Sequence, residues 1–459
     1  MPTPGHTISL EDQIDQWRSY LGRRQAAYSV NVAELEDQLR AEVASLVDAG
    51  LATDEAFLVS VKRIAGMEAL SREFAREHAS RLWTQLVLAP SDADGALPGR
   101  RDAIVAFCLA VAAAVAIKVP VFFGLQWNED NVQTVGFYAR NLSLLLLPIL
   151  TGYFVWKRHL DMRTLRWLLL AFLAAGVVVN MYRFAPLGST LVLTALHLPI
   201  ALWLVVGIAH AGGRWSQVSG RMDFIRFSGE LFVYYVLIAL GGGVFTAFMA
   251  AIFQAIGISV ERFVTSWQLP CGAAGAVLVA SWLVEAKQRV VENIAPMLTR
   301  VFTPLFAAML IAFLVALLWT GRGVNIERNV LIAFDLLLVV VIGLLLYSVS
   351  ARDPQSPPDA FDLVQIALVV SALVADAVAL WAIAARINDF GFTPNRVAAL
   401  GVNVVLLINL AWSAVLHVRF LRSRASFSSL ERWQTDYLPV YAVWAAIVVV
   451  VFPPLFNYI

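Results

Sequence analysis

The sequence contains little cysteine and little charge. Two of its 459 residues are cysteine and 15% are charged, whereas soluble domains carry roughly 25% charged residues. Cys108 and Cys271 fall near opposite ends of two separate apolar runs, so we expect no disulfide between them. Neither belongs to a metal-binding spacing, and both are predicted to be small buried apolar residues. This shortage of charge indicates a chain that folds in lipid.

Motifs for catalysis and nucleotide binding are absent as well. The sequence has no phosphate-binding glycine loop, no HExxH pair and no nucleophile elbow, which disfavours an ATPase or a zinc protease. We therefore expect no catalytic residue, no bound metal and no cofactor, and a non-enzymatic protein is favoured. No apolar stretch of the signal-peptide kind precedes residue 103, so the first hundred residues are predicted to stay in the cytoplasm.

Long apolar runs fill the rest of the chain. Hydrophobic residues make up 59% of the sequence, and the mean hydropathy is +0.72. A run of about 20 apolar residues crosses the ~30 Å hydrocarbon core of a bilayer, and runs that are apolar on every side cross it as helices. The sequence predicts an all-α, polytopic transmembrane bundle with eleven spans, at 103–125, 136–156, 165–182, 190–210, 229–256, 265–284, 301–320, 330–350, 361–386, 396–418 and 437–458.

The distribution of Lys and Arg predicts the direction of these spans. With the N-terminus inside, the cytoplasmic segments hold 17 Lys and Arg residues and the outer loops hold 7, as the positive-inside rule requires. An odd number of spans then places Ile459 outside. We expect a multi-pass protein of the plasma membrane with a cytoplasmic N-terminus and the lipid bilayer as its main partner.

Residues 1–89 are predicted to form a small cytoplasmic helical domain, joined by a linker at 90–100 to the membrane domain at 101–459. Residues 1–99 hold 15 acidic and 9 basic side chains, so no direct binding to nucleic acid is expected. A domain this small buries little surface by itself. It is either a solubilising cap or an interaction module that binds a cytoplasmic protein, or a second copy, through residues 8–87. Its predicted helices are 9–24, 32–49, 54–65 and 67–87.

This head resembles the bacterial permease-prefix, or HAAS-type, domain. The resemblance covers about 80 residues and implies a helical signalling module, often linked to PadR-like regulators, in a protein of the bacterial inner membrane. Ala65 departs from the Gly-Asp turn that is usual in that family. The matching stretches are Leu10-Glu-Asp-Gln, Leu35-Glu-Asp-Gln-Leu, Gly50-Leu-Ala-Thr-Asp-Glu-Ala-Phe57, Val61-Lys-Arg-Ile-Ala-Gly66 and Leu70-Ser-Arg-Glu-Phe74.

A second resemblance lies in the loop between the ninth and tenth spans. The segment Arg386-Ile-Asn-Asp389-Phe-Gly391-Phe-Thr393-Pro-Asn-Arg396 is similar to a signature of polytopic bacterial membrane proteins, the domain of unknown function 4153 family, which implies no activity. Gly391 permits a turn, and Thr393 is predicted to cap a helix that begins at Pro394. Arg386, Asp389 and Arg396 form either a structural turn between two helices or a site for an anion or lipid head group.

Six polar residues are predicted at similar depth in the outer part of the membrane. Ionisable groups at this depth are costly and usually face the protein interior, where they pair with one another. We expect Lys118 to approach Asp376 or Asp335. The set forms either isolated interhelical pairs or a polar chamber that opens to the outside and binds a ligand or ion. Its members are Lys118, Asn180, His197, Asp335, Asp376 and Asn403.

Three functions remain open from the sequence. The favoured hypothesis is a non-enzymatic signalling protein, in which the membrane domain senses a ligand and the head relays that state to a partner. The second is a transporter or permease that uses the outer polar chamber. The third is a membrane-embedded transferase that acts on a lipid-linked substrate through Glu129 or Asp130 of the first outer loop.

Overall fold

The fold was analysed in a computed structural model, which describes residues 32–48, 98–125, 131–286, 294–320, 328–352 and 356–459, with single positions between 11 and 61. Contacts divide the chain into two units, Met1–Gly95 and Ala96–Ile459. Every regular element in these described ranges is a helix, as the sequence predicts.

One helix of the head is described in full. Helix α1, Val32–Asp48, coincides with the predicted 32–49 helix, and Leu39 and Val43 on its apolar face are buried. Arg40 on the other face binds Glu36 one turn away and both carboxylate oxygens of Glu11, at 2.7 and 2.8 Å. These hydrogen bonds raise the pKa of Arg40 above its usual value. The other predicted head helices lie largely outside the described residues.

The membrane domain consists of long helices joined by short turns. Most predicted spans correspond to one of them, whereas the sixth begins in a π-helical segment and the eleventh covers two helices. A short helix, Glu261–Phe263, and a π-helical segment, Val264–Gln268, lead directly into α7. The helices are α2 Pro98–Phe122, α3 Val132–Arg158, α4 Met162–Met181, α5 Ser189–His210, α6 Val218–Ala255, α7 Leu269–Ala286, α8 Ile294–Thr320, α9 Arg328–Ala351, α10 Ala360–Phe390, α11 Pro394–Leu421, α12 Phe427–Val450 and α13 Phe452–Leu455.

Ten helices in the described residues are long and apolar enough to cross a membrane, so the chain is an integral membrane protein. The predicted eleventh span, 437–458, forms α12 and α13. Helix α12 begins with a polar stretch that includes Glu431, Arg432 and Asp436, and it is not among the ten. The count of eleven spans therefore stays a prediction.

Both cysteines are free thiols, and the prediction that they are buried needs correction. Cys108 is exposed on the surface of α2, and Cys271 is half-buried. The thiol of Cys271 lies 3.8 Å from the carbonyl oxygen of Ala114. An exposed thiol on an apolar transmembrane helix faces lipid, where a small, weakly polar side chain is tolerated.

Buried side chains form two main apolar clusters in the membrane domain. The first gathers residues mainly from α2 to α7, together with Val449 of α12, and the second gathers residues mainly from α8 to α12. Helix α6 contributes to both, with Phe224 and Phe227 in the first cluster and Met222 and Ile225 in the second. The two groups of helices also meet where α5 packs on α12.

The C-terminus is fastened to the turn between α4 and α5. The amides of Ala185 and Thr190 donate to the carbonyl oxygens of Tyr458 and Ile459, at 2.8 and 2.6 Å, and Tyr182 donates to the carbonyl oxygen of Val450. This end of the bundle is the predicted outer end. The third and eleventh spans of the predicted order both finish there.

Candidate intramembrane binding site

Asp376 lies in the middle of α10 and is completely buried. Helix α10 packs against α8, α9 and α11, so the carboxylate points into a bundle of apolar helices. No residue of the described ranges donates a hydrogen bond to either of its oxygens. Buried polar groups are nearly always hydrogen-bonded, because an unpaired one loses its water without replacement. Asp376 is therefore the least stabilised polar group that the sequence analysis singled out.

Two more polar residues accompany Asp376. Asn403 of α11 is completely buried and donates to the carboxylate of half-buried Asp335 on α9, at 2.8 Å. Its other amide hydrogen bond goes to the carbonyl of Ala399, whereas its own side-chain oxygen has no donor among the described residues. Asp335 lies on α9, which packs against the α10 helix that carries Asp376. We call Asp335, Asp376 and Asn403 the acid cluster.

The acid cluster lies between two apolar layers. Ala379 and Leu331 belong to a small buried cluster near the predicted outer end, and Ala375 and Leu338 belong to the large second cluster on the other side. The polar residues occupy the sequence positions between these apolar ones. Such surroundings exclude water and strengthen every electrostatic interaction inside them.

Lys118 does not join this cluster, and the predicted ion pair with Asp376 or Asp335 is not formed. Its ammonium donates to the carbonyl oxygen of Ser266 and lies 4.6 Å from the centroid of the Trp267 ring. No carboxylate of the described residues lies within 4.0 Å of it. The reason is tertiary: α2 packs on α3 and α7, whereas α10 packs among α8, α9 and α11.

Asn180 and His197 also lie apart from the acid cluster. Asn180 of α4 exchanges two amide hydrogen bonds with Asn141 of α3, at 3.0 and 2.7 Å. His197 shares a hydrogen bond with the Leu193 carbonyl of its own helix, at 2.9 Å. The six predicted residues thus separate into two contacts between helices, one contact within a helix and one three-residue cluster, and they do not line a single chamber.

The loop after α10 has the predicted turn. Gly391 has a φ of +75°, and the Thr393 side chain accepts from the amide of Arg396 at the start of α11, with Pro394 in its first turn. Arg396 donates to the carbonyl oxygens of Phe390 and Gly391, at 2.9 and 2.8 Å. Asp389 is exposed and Arg386 is half-buried. The contacts of Arg396 favour the structural alternative, because they satisfy carbonyls at the end of α10.

A buried ionic cluster escaped the sequence analysis. The side chain of Glu285 at the end of α7 is 2% exposed; it accepts from Arg158 at 2.8 and 3.0 Å and lies 3.3 Å from Lys157 and 3.2 Å from His210. These residues join α3, α5 and α7. A hydropathy pattern does not reveal these residues, because charged residues at the ends of apolar runs resemble solvated loop residues.

The remaining predictions add no further site. Glu129 and Asp130 lie outside the described residues. Within the described part of the chain, no group of three or more His, Cys, Asp and Glu side chains could hold a metal ion. No family model matches the chain, and neither a curated protein nor a solved structure is significantly similar to it.

Proposed function

We propose that this chain is a non-enzymatic membrane protein that senses a ligand in its membrane domain and relays that state through its cytoplasmic head. The observation that carries the proposal is Asp376, a fully buried carboxylate without a hydrogen-bond donor in the described residues. Ionisable groups inside membrane domains are costly and typically mark ligand, ion or proton sites. The acid cluster is thus the ligand site of the proposal.

The head supplies the second half of the proposal. Its resemblance to the permease-prefix domain supports a signalling role, and α1 supports a folded helical module. Arg40 binds Glu11 and Glu36 on the polar side of α1, while Leu39 and Val43 are buried on the other. This unit would contact a cytoplasmic protein or a second copy through residues 8–87.

The relay is tested by perturbing the membrane domain and observing the head. We expect Asp376→Asn in the full chain, reconstituted in nanodiscs, to change amide hydrogen exchange in residues 32–48 at least two-fold. The substitution removes the carboxylate on which the proposed ligand site depends. Hydrogen exchange followed by mass spectrometry measures this change directly.

Asp389→Asn is the matched control, because it removes an exposed acid from the same helix. It should leave exchange in residues 32–48 unchanged. If Asp376→Asn also leaves hydrogen exchange in residues 32–48 unchanged while the protein remains folded, the head does not respond to the membrane domain. That result would contradict the relay.

A permease is the second candidate. The observation that favours it is the division of the membrane domain into two apolar clusters that share α6 and meet at α5 and α12. Two helical groups that rock against each other are a common basis of alternating access. In proteoliposomes, a permease would move a labelled ion or solute across the membrane, and Asp376→Asn would abolish the flux. A sensor would produce no flux.

A further inference from the structure

A surface cavity of about 400 Å³ lies where α11 ends and α12 begins. Helix α11 is long and apolar enough to cross the membrane and ends at Leu421, so this cavity lies at a membrane edge. Its lining includes Trp412 of α11 and Arg432, Trp433 and Asp436 of α12. A wall that is partly aromatic and partly charged suits a molecule with an apolar and a polar part. We call it the α11–α12 cavity.

The charged groups of this cavity leave one positive charge without a partner. Asp436 is the acid among its lining residues, and it already forms an ion pair with Arg221 of α6. Arg432 is exposed, and its side chain makes no hydrogen bond or ion pair within the described ranges. Glu431 is half-buried and does not line the cavity. An anion is therefore the ligand that complements Arg432.

Three further arginines lie at the same end of the bundle. Arg419, Arg422 and Arg424 are exposed at the end of α11 and in the turn that follows it, and the sequence has no acidic residue between 419 and 430. Arg419 lies three residues after Leu416 and seven after Trp412, so all three occupy one face of α11. The positive charge of this face therefore extends the cavity's preference for an anion.

The uncharged side chains of the cavity suit a phosphate group beside a membrane. Ser428 and Ser429 line it from the first turn of α12, and their hydroxyls can donate to phosphate oxygens. The rings of Trp412 and Trp433 lie 6.0 Å apart between centroids, and the indole N–H of Trp433 donates to the carbonyl oxygen of Asn409 at 3.4 Å. Tryptophan is enriched at the level of lipid head groups, because its ring is apolar and its N–H is polar.

Exposed apolar side chains lead from the cavity towards the middle of the membrane. On α11 they lie four and eight residues before Trp412, and on α12 they lie four, seven and eleven residues after Asp436, so each set continues a face that lines the cavity. A soluble anion has no use for such strips, whereas the acyl chains of a lipid pack along them. The residues are Val404 and Ile408 on α11, and Val440, Val443 and Ile447 on α12.

We infer that the α11–α12 cavity binds one anionic phospholipid. Its phosphate lies against Arg432 and the serine hydroxyls, and its acyl chains follow the exposed apolar strips of α11 and α12. Basic pockets between transmembrane helices at the predicted cytoplasmic side are a known means of binding anionic head groups. This site is separate from the acid cluster, so the inference does not depend on the proposed sensor.

Native mass spectrometry of the full-length protein in detergent tests the inference, because it counts bound lipids and gives the dissociation constant of each. The probes are dioleoyl phosphatidylglycerol, which is anionic, and dioleoyl phosphatidylcholine, which has the same acyl chains and no net charge. We expect the first phosphatidylglycerol to bind about ten-fold more tightly than the first phosphatidylcholine, as one hydrogen bond to a charged group contributes.

Arg432→Gln should remove this preference for phosphatidylglycerol and leave the binding of phosphatidylcholine unchanged. Arg163→Gln is the matched control, because it removes an exposed arginine from the first turn of α4, at the same predicted face of the membrane. It should keep the preference. Arg419→Gln, which should reduce the preference in part, provides a second variant if Arg432→Gln does not fold. Equal effects of Arg432→Gln and Arg163→Gln, or no preference in the wild type, would overturn the inference.

Competition with glycerol 3-phosphate separates a lipid from a soluble phosphate compound. This molecule carries an anionic head without acyl chains, so it should not displace phosphatidylglycerol when both are present at equal concentration. Displacement under that condition would assign the cavity to a soluble anion and overturn the lipid site. Neither result depends on Asp376 or on the head, so the outcome is distinguishable from failure of the proposed function.

Discussion

Individual polar residues in this membrane domain differ mainly in whether another side chain forms a hydrogen bond or an ion pair with them. Glu285 is surrounded by Arg158, Lys157 and His210, whereas Asp376 has no donor among the described residues. Both are carboxylates on apolar helices. A paired buried carboxylate connects helices, and an unpaired one is a candidate ligand site, because its cost persists until something binds.

At the residue scale, we predict that Glu285→Gln strongly destabilises the membrane domain. The change leaves Arg158 without its carboxylate partner, whereas Lys157 keeps Asp102 at 3.6 Å. Removing one partner of a buried ion pair costs roughly 3–5 kcal/mol. The side chains of Arg158 and Lys157 are 28% and 18% exposed, so we expect a loss of stability near the lower limit of this range. Thermal unfolding in detergent should show a lower midpoint.

Asp223→Asn is the control for this substitution. Asp223 pairs with Arg214 at 3.2 Å, and both side chains are about half exposed. Exposed pairs contribute about 0–1 kcal/mol, so the unfolding midpoint should hardly move. Equal effects of the two substitutions would contradict a structural role for the Glu285 cluster.

At the scale of elements, close approach of α11 and α12 depends on one small residue. A β-carbon added at Gly401 would overlap the ring of Trp444. Trp444 is in turn packed edge-on against Phe452, with ring centroids 6.0 Å apart. The ring therefore has little room to move, and Gly401 fixes how near the two helices lie.

We predict that Gly401→Ala destabilises the protein by about 1–3 kcal/mol, the usual cost of overpacking, despite the better helix propensity of alanine. Gly343→Ala in α9 is the matched control, because nothing lies within 4 Å of its added β-carbon. There the propensity gain of up to ~1 kcal/mol should raise stability slightly. Thermal unfolding should therefore show a lower midpoint for Gly401→Ala and a slightly higher midpoint for Gly343→Ala. A gain of stability at both positions would contradict the close approach.

At the largest scale, the described helices of the membrane domain form two groups that are held together by α5, α6 and α12. The C-terminus is bonded to the turn between α4 and α5. Whichever face of the membrane holds that turn therefore also holds Ile459. This constraint places the C-terminus beside the turn between α4 and α5 independently of any count of spans.

We predict that reporter fusions at Asp94 and after Ile459 lie in opposite compartments, with Asp94 in the cytoplasm, because the loop charges follow the positive-inside rule. A fusion at Pro186 should share the compartment of Ile459, since the backbone contacts place them together. Compartment-specific phosphatase and fluorescence reporters measure both. The same compartment for Asp94 and Ile459 would contradict the eleven-span order.

Local patterns determined the helical class, the approximate positions of the spans and the turn at Gly391 and Thr393. Hydropathy and capping depend on residues that are near one another in sequence, so they can be read from it directly. Asp335, Asp376 and Asn403 can be identified for the same reason, since a polar residue within an apolar run is conspicuous.

Only the tertiary structure decided which polar residues meet. Depth in the membrane is read along a helix, whereas a contact also requires two helices to be neighbours and to face each other. Lys118 has a predicted depth similar to that of Asp376, yet α2 packs on α7 and its ammonium reaches Ser266 and Trp267. Asp335 and Asn403 meet because α9 and α11 both pack against α10. Helix neighbours result from the packing of the whole bundle, which no local pattern encodes.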